Sequence, residues 1–238
     1  MYLKQKQIHM KLSIIIPVHN EEKTIGDLLK IVSNVGYGIT YEIIVVDDGS
    51  TDNTLKILKN IKKQINFKII SYKNNRGKGY ASRIGLKHAT GEIVIFQDAD
   101  LEYNPHQIQG VINPIIKGEA KVVYGSRFKG RIHKMSFTQL VGNKFLTLAT
   151  NLLFGCNLSD MECCYTAIHK DALKSIKLTV DGFEVQAELT GKLLRNGFVI
   201  KEVPGDYQGR TREEGKKIKV IDGIKNLIML LKVKFNLV

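Results

Sequence analysis

Residues 12–48 read LSIIIPVHNEEKTIGDLLKIVSNVGYGITYEIIVVDD, and this stretch decides the fold. Two short runs rich in β-branched residues, Ile14-Ile15-Ile16 and Ile43-Ile44-Val45-Val46, bracket a segment in which Ile25, Leu28, Leu29 and Val32 recur at i, i+3, i+4 and i+7. A continuous apolar run of strand length is what a strand buried on both faces looks like, and the spacing between the runs is that of a helix with one apolar face. Strand, helix and strand in this order make the crossover unit of a parallel sheet. The pattern continues outward. Asp52 is placed to cap a helix carrying Leu55, Leu58 and Ile61, and strand-like runs follow at Lys68-Ile69-Ile70 and Ile93-Val94-Ile95-Phe96. Farther on, the sequence predicts a helix around His106–Lys117, a strand at Lys121–Tyr124, a mostly apolar helix within Phe137–Phe154, a helix at Glu184–Arg195 and a strand at Val199–Val203. There is no internal repeat and no linker, so a single α/β domain is expected.

Composition agrees with a folded chain. The 238 residues are 43% hydrophobic and 25% charged, with 4 Pro, which excludes a disordered, collagen-like or polytopic membrane protein. Cys156, Cys163 and Cys164 show no C-x-x-C spacing and read as buried small apolar residues of a reducing compartment. The polar segment Met1–Lys11 does not read as a signal peptide. Lys and Arg exceed Asp and Glu, 36 to 23, giving a net charge of +13. That excess calls for an anionic partner: a nucleotide, a nucleic acid or an anionic lipid surface.

The residues just after the strands choose among these. In an open α/β sheet, ligands bind beyond the carboxyl ends of the strands. Pro17-Val18-His19-Asn20-Glu21-Glu22 follows the first strand, Asp47-Asp48-Gly49-Ser50 the second, and Gln97-Asp98-Ala99-Asp100-Leu101-Glu102 the fourth. At least four carboxylates are therefore expected along one edge, where their mutual repulsion has to be offset by a cation or a hydrogen-bonding ligand. Asp98, Asp100 and Glu102 alternate, so an extended stretch would turn them to one side. Carboxylate oxygens suit Mg²⁺ or Mn²⁺, ions that complete their shells with water and substrate phosphates.

Taken together, P-V-H-N-E-E, D-D-G-S-T-D, N-R-G-K-G, Q-D-A-D-L-E, G-S-R and Y-Q-G-R-T-R-E-E-G-K-K resemble the motifs of family 2 glycosyltransferases, in particular the dolichyl-phosphate mannose synthase branch. The likeness runs from about Leu12 to Gly223. It implies a GT-A fold, a mostly parallel, Rossmann-like sheet flanked by helices. It also implies a metal-dependent, inverting transfer of a sugar, mannose or glucose, from a nucleoside-diphosphate sugar to a polyprenyl or dolichyl phosphate. Carried over residue by residue, it places Pro17, His19, Glu21, Val46 and Asp48 at the nucleoside, and Asp98 and Ala99 beside the ribose and diphosphate. Asp98, Asp100 and Glu102 become candidate metal ligands, although the synthases usually carry Gln where this chain has Glu102. Arg127, Arg210 and Lys216 match the basic residues around the diphosphate and acceptor phosphate, with Asp100, Arg127 and Arg210 as the catalytic set. The resemblance divides the chain into an extension, 1–11, a catalytic domain, 12–215, and a basic amphipathic C-terminal helix, 216–238.

The chemistry is consistent with these roles. Cleavage of the anomeric C–O bond leaves negative charge on the nucleoside diphosphate, which a cation and arginine forks stabilise. A phosphate acceptor attacks without a base, whereas a sugar hydroxyl, the alternative acceptor in surface-polysaccharide assembly, needs one; Asp160 and Glu162 are the candidates. Gly77-Lys78-Gly79 lacks the rest of a phosphate-binding P-loop, no G-x-G-x-x-G follows the first strand, and the chain has no Trp for the Q-x-x-R-W signature of processive synthases. A basic nucleic-acid-binding module is disfavoured because no aromatic and basic stripe is present. From Val220, the residues Val220, Ile221, Ile224, Leu227, Ile228 and Leu231 fall on one helical face, too short to span a bilayer. Residues 192–238 hold 11 Lys plus Arg against 5 Asp plus Glu. The helix thus fits either a peripheral site at the cytoplasmic face of an anionic membrane or a place on the protein's own core.

Overall fold

A computed structural model describes residues 10–211, 213–215, 217 and 220–238. The first apolar run is β1, Lys11–Val18, whose residues from Leu12 to Ile16 are all buried. Lys11, assigned from the sequence to the N-terminal extension, is the first residue of this strand and is in register with Thr40. Helix α1, Ile25–Asn34, buries Ile25, Leu28, Leu29 and Val32, the stripe read from the sequence. It leads to β2, Thr40–Asp48, parallel to β1. Then come α2, Thr54–Ile61; β3, Lys68–Tyr72; α3, Lys78–His88; and β4, Ile93–Phe96. The strands β3, β2, β1 and β4 lie side by side and all run parallel. Because a crossover helix lets each strand run the same way as the one before, all four carboxyl ends lie on one edge.

The second half is built differently. After α4, Ile108–Ile116, come β5, Val122–Ser126; β6, Ile132–His133; and the long helix α5, Phe137–Phe154. Next are β7, Thr166–His169; α6, Lys170–Lys174; α7, Val185–Arg195; β8, Ile200–Pro204; β9, Tyr207–Gln208; and α8, Val220–Lys234. The seven-stranded sheet has the order β3-β2-β1-β4-β7-β5-β8, with β7 antiparallel to both neighbours, and β6 and β9 form a separate two-stranded ribbon. The sequence reading has no counterpart for β7.

Two large apolar clusters fill the space on either side of the sheet, and a smaller one of Ile44, Val46 and Ala81 lies between β2 and α3. One gathers α1, α4 and the faces of β1 and β2 around Leu28, Leu29 and Val45; the other gathers α5, α7 and α8 around Leu146, Leu189 and Leu230. In α8 the core contact is made by Met229, Leu230 and Val233. Of the stripe picked out from the sequence, Ile221, Ile224, Ile228 and Leu231 are exposed, whereas Leu227 packs against the core. The helix is apolar on two opposite faces, and hydropathy alone does not say which one meets the protein.

Candidate active site

The carboxyl ends of β1, β2 and β4 open into a cavity of about 350 Å³ lined by Pro17, His19, Glu21, Asp48, Asp98, Ala99, Asp100, Glu102 and Arg210. The acids expected at one edge are therefore at one edge, Asp48 and Asp100 included. Val46 is not among the lining residues. It is fully buried against Ile44 and Ala81, on the face of β2 that α3 covers. Lys216 lies outside the described residues; its neighbour Lys217, for which the sequence motifs suggest no role, lines the cavity.

Each acid has a different employment. Asp48 accepts the backbone N–H of Arg76 and of Gly77, both at 2.8 Å, and so fixes the loop that starts α3. Gly77 is required there: its φ is +102° and a Cβ would run into the Asp181 carbonyl. Asp98 meets the Lys78 ammonium at 2.5 Å. Burial pushes the Asp98 carboxyl up, and Lys78 more than offsets this, holding it below the ordinary carboxylate value. Glu102 accepts the Tyr207 hydroxyl at 2.8 Å on one oxygen and the Arg210 backbone N–H at 2.9 Å on the other. Glu21 accepts from Arg210 Nη1 at 2.9 Å and Nη2 at 3.2 Å, and from Lys217 Nζ at 2.7 Å. Against the effect of burial, these cations keep it below its usual value.

Asp100 is the exception. Its Oδ2 accepts Arg210 Nη2 at 3.1 Å and its Oδ1 accepts the Glu102 N–H at 3.0 Å. Burial, reinforced by the neighbouring Asp98 and Glu102 carboxylates, still raises it to about 7. One guanidinium does not neutralise this corner. The negative charge left over and the hard oxygen donors fit a divalent cation. Among the described residues, however, no three acids converge as a coordination set. The expected trio is split: Asp98 belongs to Lys78, and both Glu102 oxygens are taken up in anchoring β9 and the loop after it. Asp98 and Asp100 meet cationic side chains at the cavity wall at 2.5 and 3.1 Å, whereas Glu102 lies 3.7 Å from Arg210 Nε.

A second, narrower cavity of about 100 Å³ meets the first along Lys78, Asp98, Glu102 and Phe183, and is also lined by Arg127, Glu162, Gln139, Gln186, Asp222 and Asn226. Arg127, expected around the diphosphate and the acceptor phosphate, lines this second cavity and not the first. It is buried, and Nε and Nη2 grip Asp160 at 2.7 Å each, with the Arg127 N–H adding a third bond at 3.0 Å. Asp160 in turn is shut off from solvent, lines neither cavity and has its backbone N–H held by Glu202 at 3.0 Å. An acid clamped by an arginine is a poor base, so Asp160 is removed from the candidates. Glu162 stays. It lines the cavity and accepts Asn226 Nδ2 at 2.8 Å, and burial raises it to about 7, near where a general base works best. Gln139, Gln186, Asp222 and Asn226 were missed in the sequence. For Asp222 and Asn226 a signal existed: two polar residues four apart inside an apolar helix, both buried.

The fold matches solved glycosyltransferases. Glucosyl-3-phosphoglycerate synthase from Mycobacterium tuberculosis, solved with UDP, superposes with a TM-score of 0.76 over 98% of this chain and 83% of that one, at 22% identity. A structure of that enzyme with Mn²⁺ and UDP-glucose gives 0.74 over 98% and 82%, also at 22% identity. At that identity the likeness concerns the fold. The family model described as Glycosyl transferase family 2 matches residues 13–177. The chain belongs to that family and is a glycosyltransferase. Among curated relatives, the UDP-N-acetylglucosamine–dolichyl-phosphate N-acetylglucosaminyltransferase of Methanococcus voltae is 34% identical over 93% of this chain and 95% of its own length. The dolichol-phosphate mannosyltransferase of Pyrococcus furiosus is 28% identical over 96% and 68%.

Proposed function

We propose that the enzyme moves a sugar from a nucleoside-diphosphate donor to a polyprenyl or dolichyl phosphate, with inversion at the anomeric carbon and with Mg²⁺ or Mn²⁺ as cofactor. The observation that carries this reading is the junction of two cavities at Asp98, one ringed by carboxylates and cations, the other closed by the Arg127 network. The names of both curated relatives, which specify a dolichyl phosphate acceptor, support it, and so do the Mn²⁺ and UDP-glucose bound by the structural neighbour.

The larger cavity takes the donor. Pro17, His19 and Glu21 bound the nucleoside side, and the start of α3, with Asn75, Gly77 and Lys78 on the wall, turns a positive helix end toward the diphosphate. Asp98 and Asp100 would hold the metal, which stabilises charge on the departing diphosphate. Arg210 and Lys217, now on Glu21 and Asp100, are placed to turn to the phosphates when these arrive. The acceptor phosphate oxygen forms a bond to the anomeric carbon from the face opposite the diphosphate as the C–O bond to the leaving group breaks. The electron pair leaves with the nucleoside diphosphate. No enzyme nucleophile intervenes, so configuration inverts.

Transfer to a sugar hydroxyl is the second reading, and the placement of Glu162 on the wall of the narrower cavity favours it. A hydroxyl would lose its proton to Glu162 as it attacks.

Labelled UDP-N-acetylglucosamine, UDP-glucose and GDP-mannose, each incubated with the purified chain and either a short polyprenyl phosphate or an oligosaccharide, separate the two. Lipid-phosphate product that carries the opposite anomeric configuration and needs Mg²⁺ or Mn²⁺ is the expected result. Calorimetric titration of nucleoside diphosphates with and without Mn²⁺ gives the donor base; indifference to all of them would overturn the proposal.

A further inference from the structure

The loop between α6 and α7 is irregular, and three separate sets of bonds hold it. Glu188 of α7 is fully buried and turns both carboxylate oxygens to the loop. They accept the Thr179 N–H at 2.9 and 3.0 Å, the Thr179 hydroxyl at 2.6 Å and the Val180 N–H at 3.1 Å. Lys192, one turn farther along α7, donates to Glu188 and to the Lys177 carbonyl, both at 2.7 Å. From the other side Arg83 of α3 donates to the Val180 carbonyl and to the Asp181 carboxylate. The loop then closes over the start of α3. The Gly182 carbonyl accepts the Gly79 N–H at 3.2 Å, and the Asp181 carbonyl accepts the Tyr80 N–H at 3.1 Å. Glycine makes the room for this approach: a Cβ on Gly77 would collide with the Asp181 carbonyl, and one on Gly79 with those of Val180 and Gly182. The two glycines of N-R-G-K-G therefore admit a loop of the protein itself. Between them stands Lys78, whose ammonium meets Asp98. Phe183, the next residue of the loop, lines both cavities.

We propose that Arg83 and Glu188 are positioning residues of the transfer reaction: acting through this loop, they set the start of α3 and so the place of the Lys78 ammonium in the larger cavity. Neither side chain lines a cavity, so neither reaches a substrate bound there. Their bonds go to the backbone that packs on Gly77 and Gly79, the two residues flanking Lys78. The choice of side chains supports the role. A well-packed apolar pair in place of Glu188 and Lys192 would hold α7 in the core as firmly, whereas only a carboxylate can accept three donors from an irregular segment at once. Arg83 serves from the opposite side with a planar fork that spans a carbonyl and a carboxylate. A charge displaced by about 1 Å is enough to cost orders of magnitude in rate, so a loop that sets the helix start also sets the strength of the site. The action of Lys78 on a diphosphate rests on the donor reading given above; the brace between the loop and α3 does not.

Arg83→Met removes both donors and keeps the apolar stem, and the Asp181 it releases is half exposed, so the melting temperature should stay within about 4 °C of the parent's. Glu188→Gln is combined with Lys192→Met, so that no charge is stranded in the interior. Amide hydrogen exchange is read first. In both variants Gly79 and Tyr80 should exchange about tenfold faster than in the parent, with the amides of β1 and β2 unchanged. Affinity for uridine and guanosine diphosphate in the presence of Mn²⁺ is then measured by calorimetry, in a cycle with Lys78→Met. Arg83→Met should weaken binding about tenfold when Lys78 is present and less than about twofold when it is replaced, because the effect runs through that ammonium. A general loss of stability would act alike in both backgrounds. Equal losses therefore overturn the proposal, and so does exchange at Gly79 and Tyr80 that either variant leaves unaltered. A parent that binds neither diphosphate refutes the donor reading, and the exchange rates by themselves then decide whether the brace exists.

Discussion

Two arginines within reach of one pair of cavities are held in opposite ways. Arg127 is locked in a buried, bidentate pair with a single acid, and the acid is braced by Glu202, whose oxygens also accept from Ser159. Arg210 sits in a loop at the rim and divides its donors among Glu21 and Asp100, with Glu102 3.7 Å from its Nε. The first arrangement is a joint, since removing either member strands a charge in the interior. The second is an exchangeable contact, in which the same carboxylates can take a different cation and the same guanidinium a different anion. One chemical pairing thus serves structure where water is excluded and function where it is not.

The sharpest way to break this contrast is Arg127→Ala. It should cost about 3–5 kcal/mol of stability, because Asp160 is left buried and unpaired, and chemical denaturation should show it; a loss below about 1 kcal/mol would mean the joint is not one. Asp100→Asn comes next. It should lower kcat by about 10²–10³-fold, the usual loss when a group stabilising transition-state charge is removed, with a melting temperature no lower than the parent's, because burial and the neighbouring acids disfavour the Asp100 charge. Arg210→Ala should lower kcat/KM by about 10–100-fold and leave the melting temperature within about 2 °C, as befits an exchangeable contact; a large drop in melting temperature would put it with Arg127.

The smallest effect concerns Glu162. Its carboxyl is raised from an ordinary 4.5 to about 7 in the folded protein, so the folded state binds the proton more tightly than the unfolded chain does. Its stability contribution is present below pH 4.5 and is lost as the pH climbs through 7. Glu162→Gln, which keeps an oxygen for Asn226, should therefore melt above the parent at about pH 8, by about 2–4 °C for each kcal/mol relieved, and level with it at about pH 4. An advantage that persisted in acid would assign the effect to packing.

Much of this was legible in the sequence, and unevenly so. Strands β1, β2 and β4 were readable because burial on both faces leaves nothing but apolar residues, and the loops after them carried the acids to the place the topology requires. Strand β7 was not, since Thr166–His169 is four residues long and exists only because Ile93–Ile95 and Val122–Tyr124, distant in sequence, leave a slot for it. The three alternating acids were visible, but their division among Lys78, Arg210 and Tyr207 depends on partners up to 110 residues away. Val46 failed for a local reason: it shares a face of β2 with Asp48 but sits two residues farther inside the strand, where α3 covers it. The sequence leaves the orientation of α8 open, because two apolar faces on one helix carry no label.

The bond between Arg210 and Glu21 joins residues 189 positions apart. In chain order, the parallel half from β1 to β4 comes before the residues that supply its counter-charge. Its ring of carboxylates must wait for Arg210 and Lys217 before it acquires their counter-charge. The acidic rim of the parallel half thus depends for its counter-charge on side chains that follow it by nearly two hundred positions, 189 for Arg210 and 196 for Lys217.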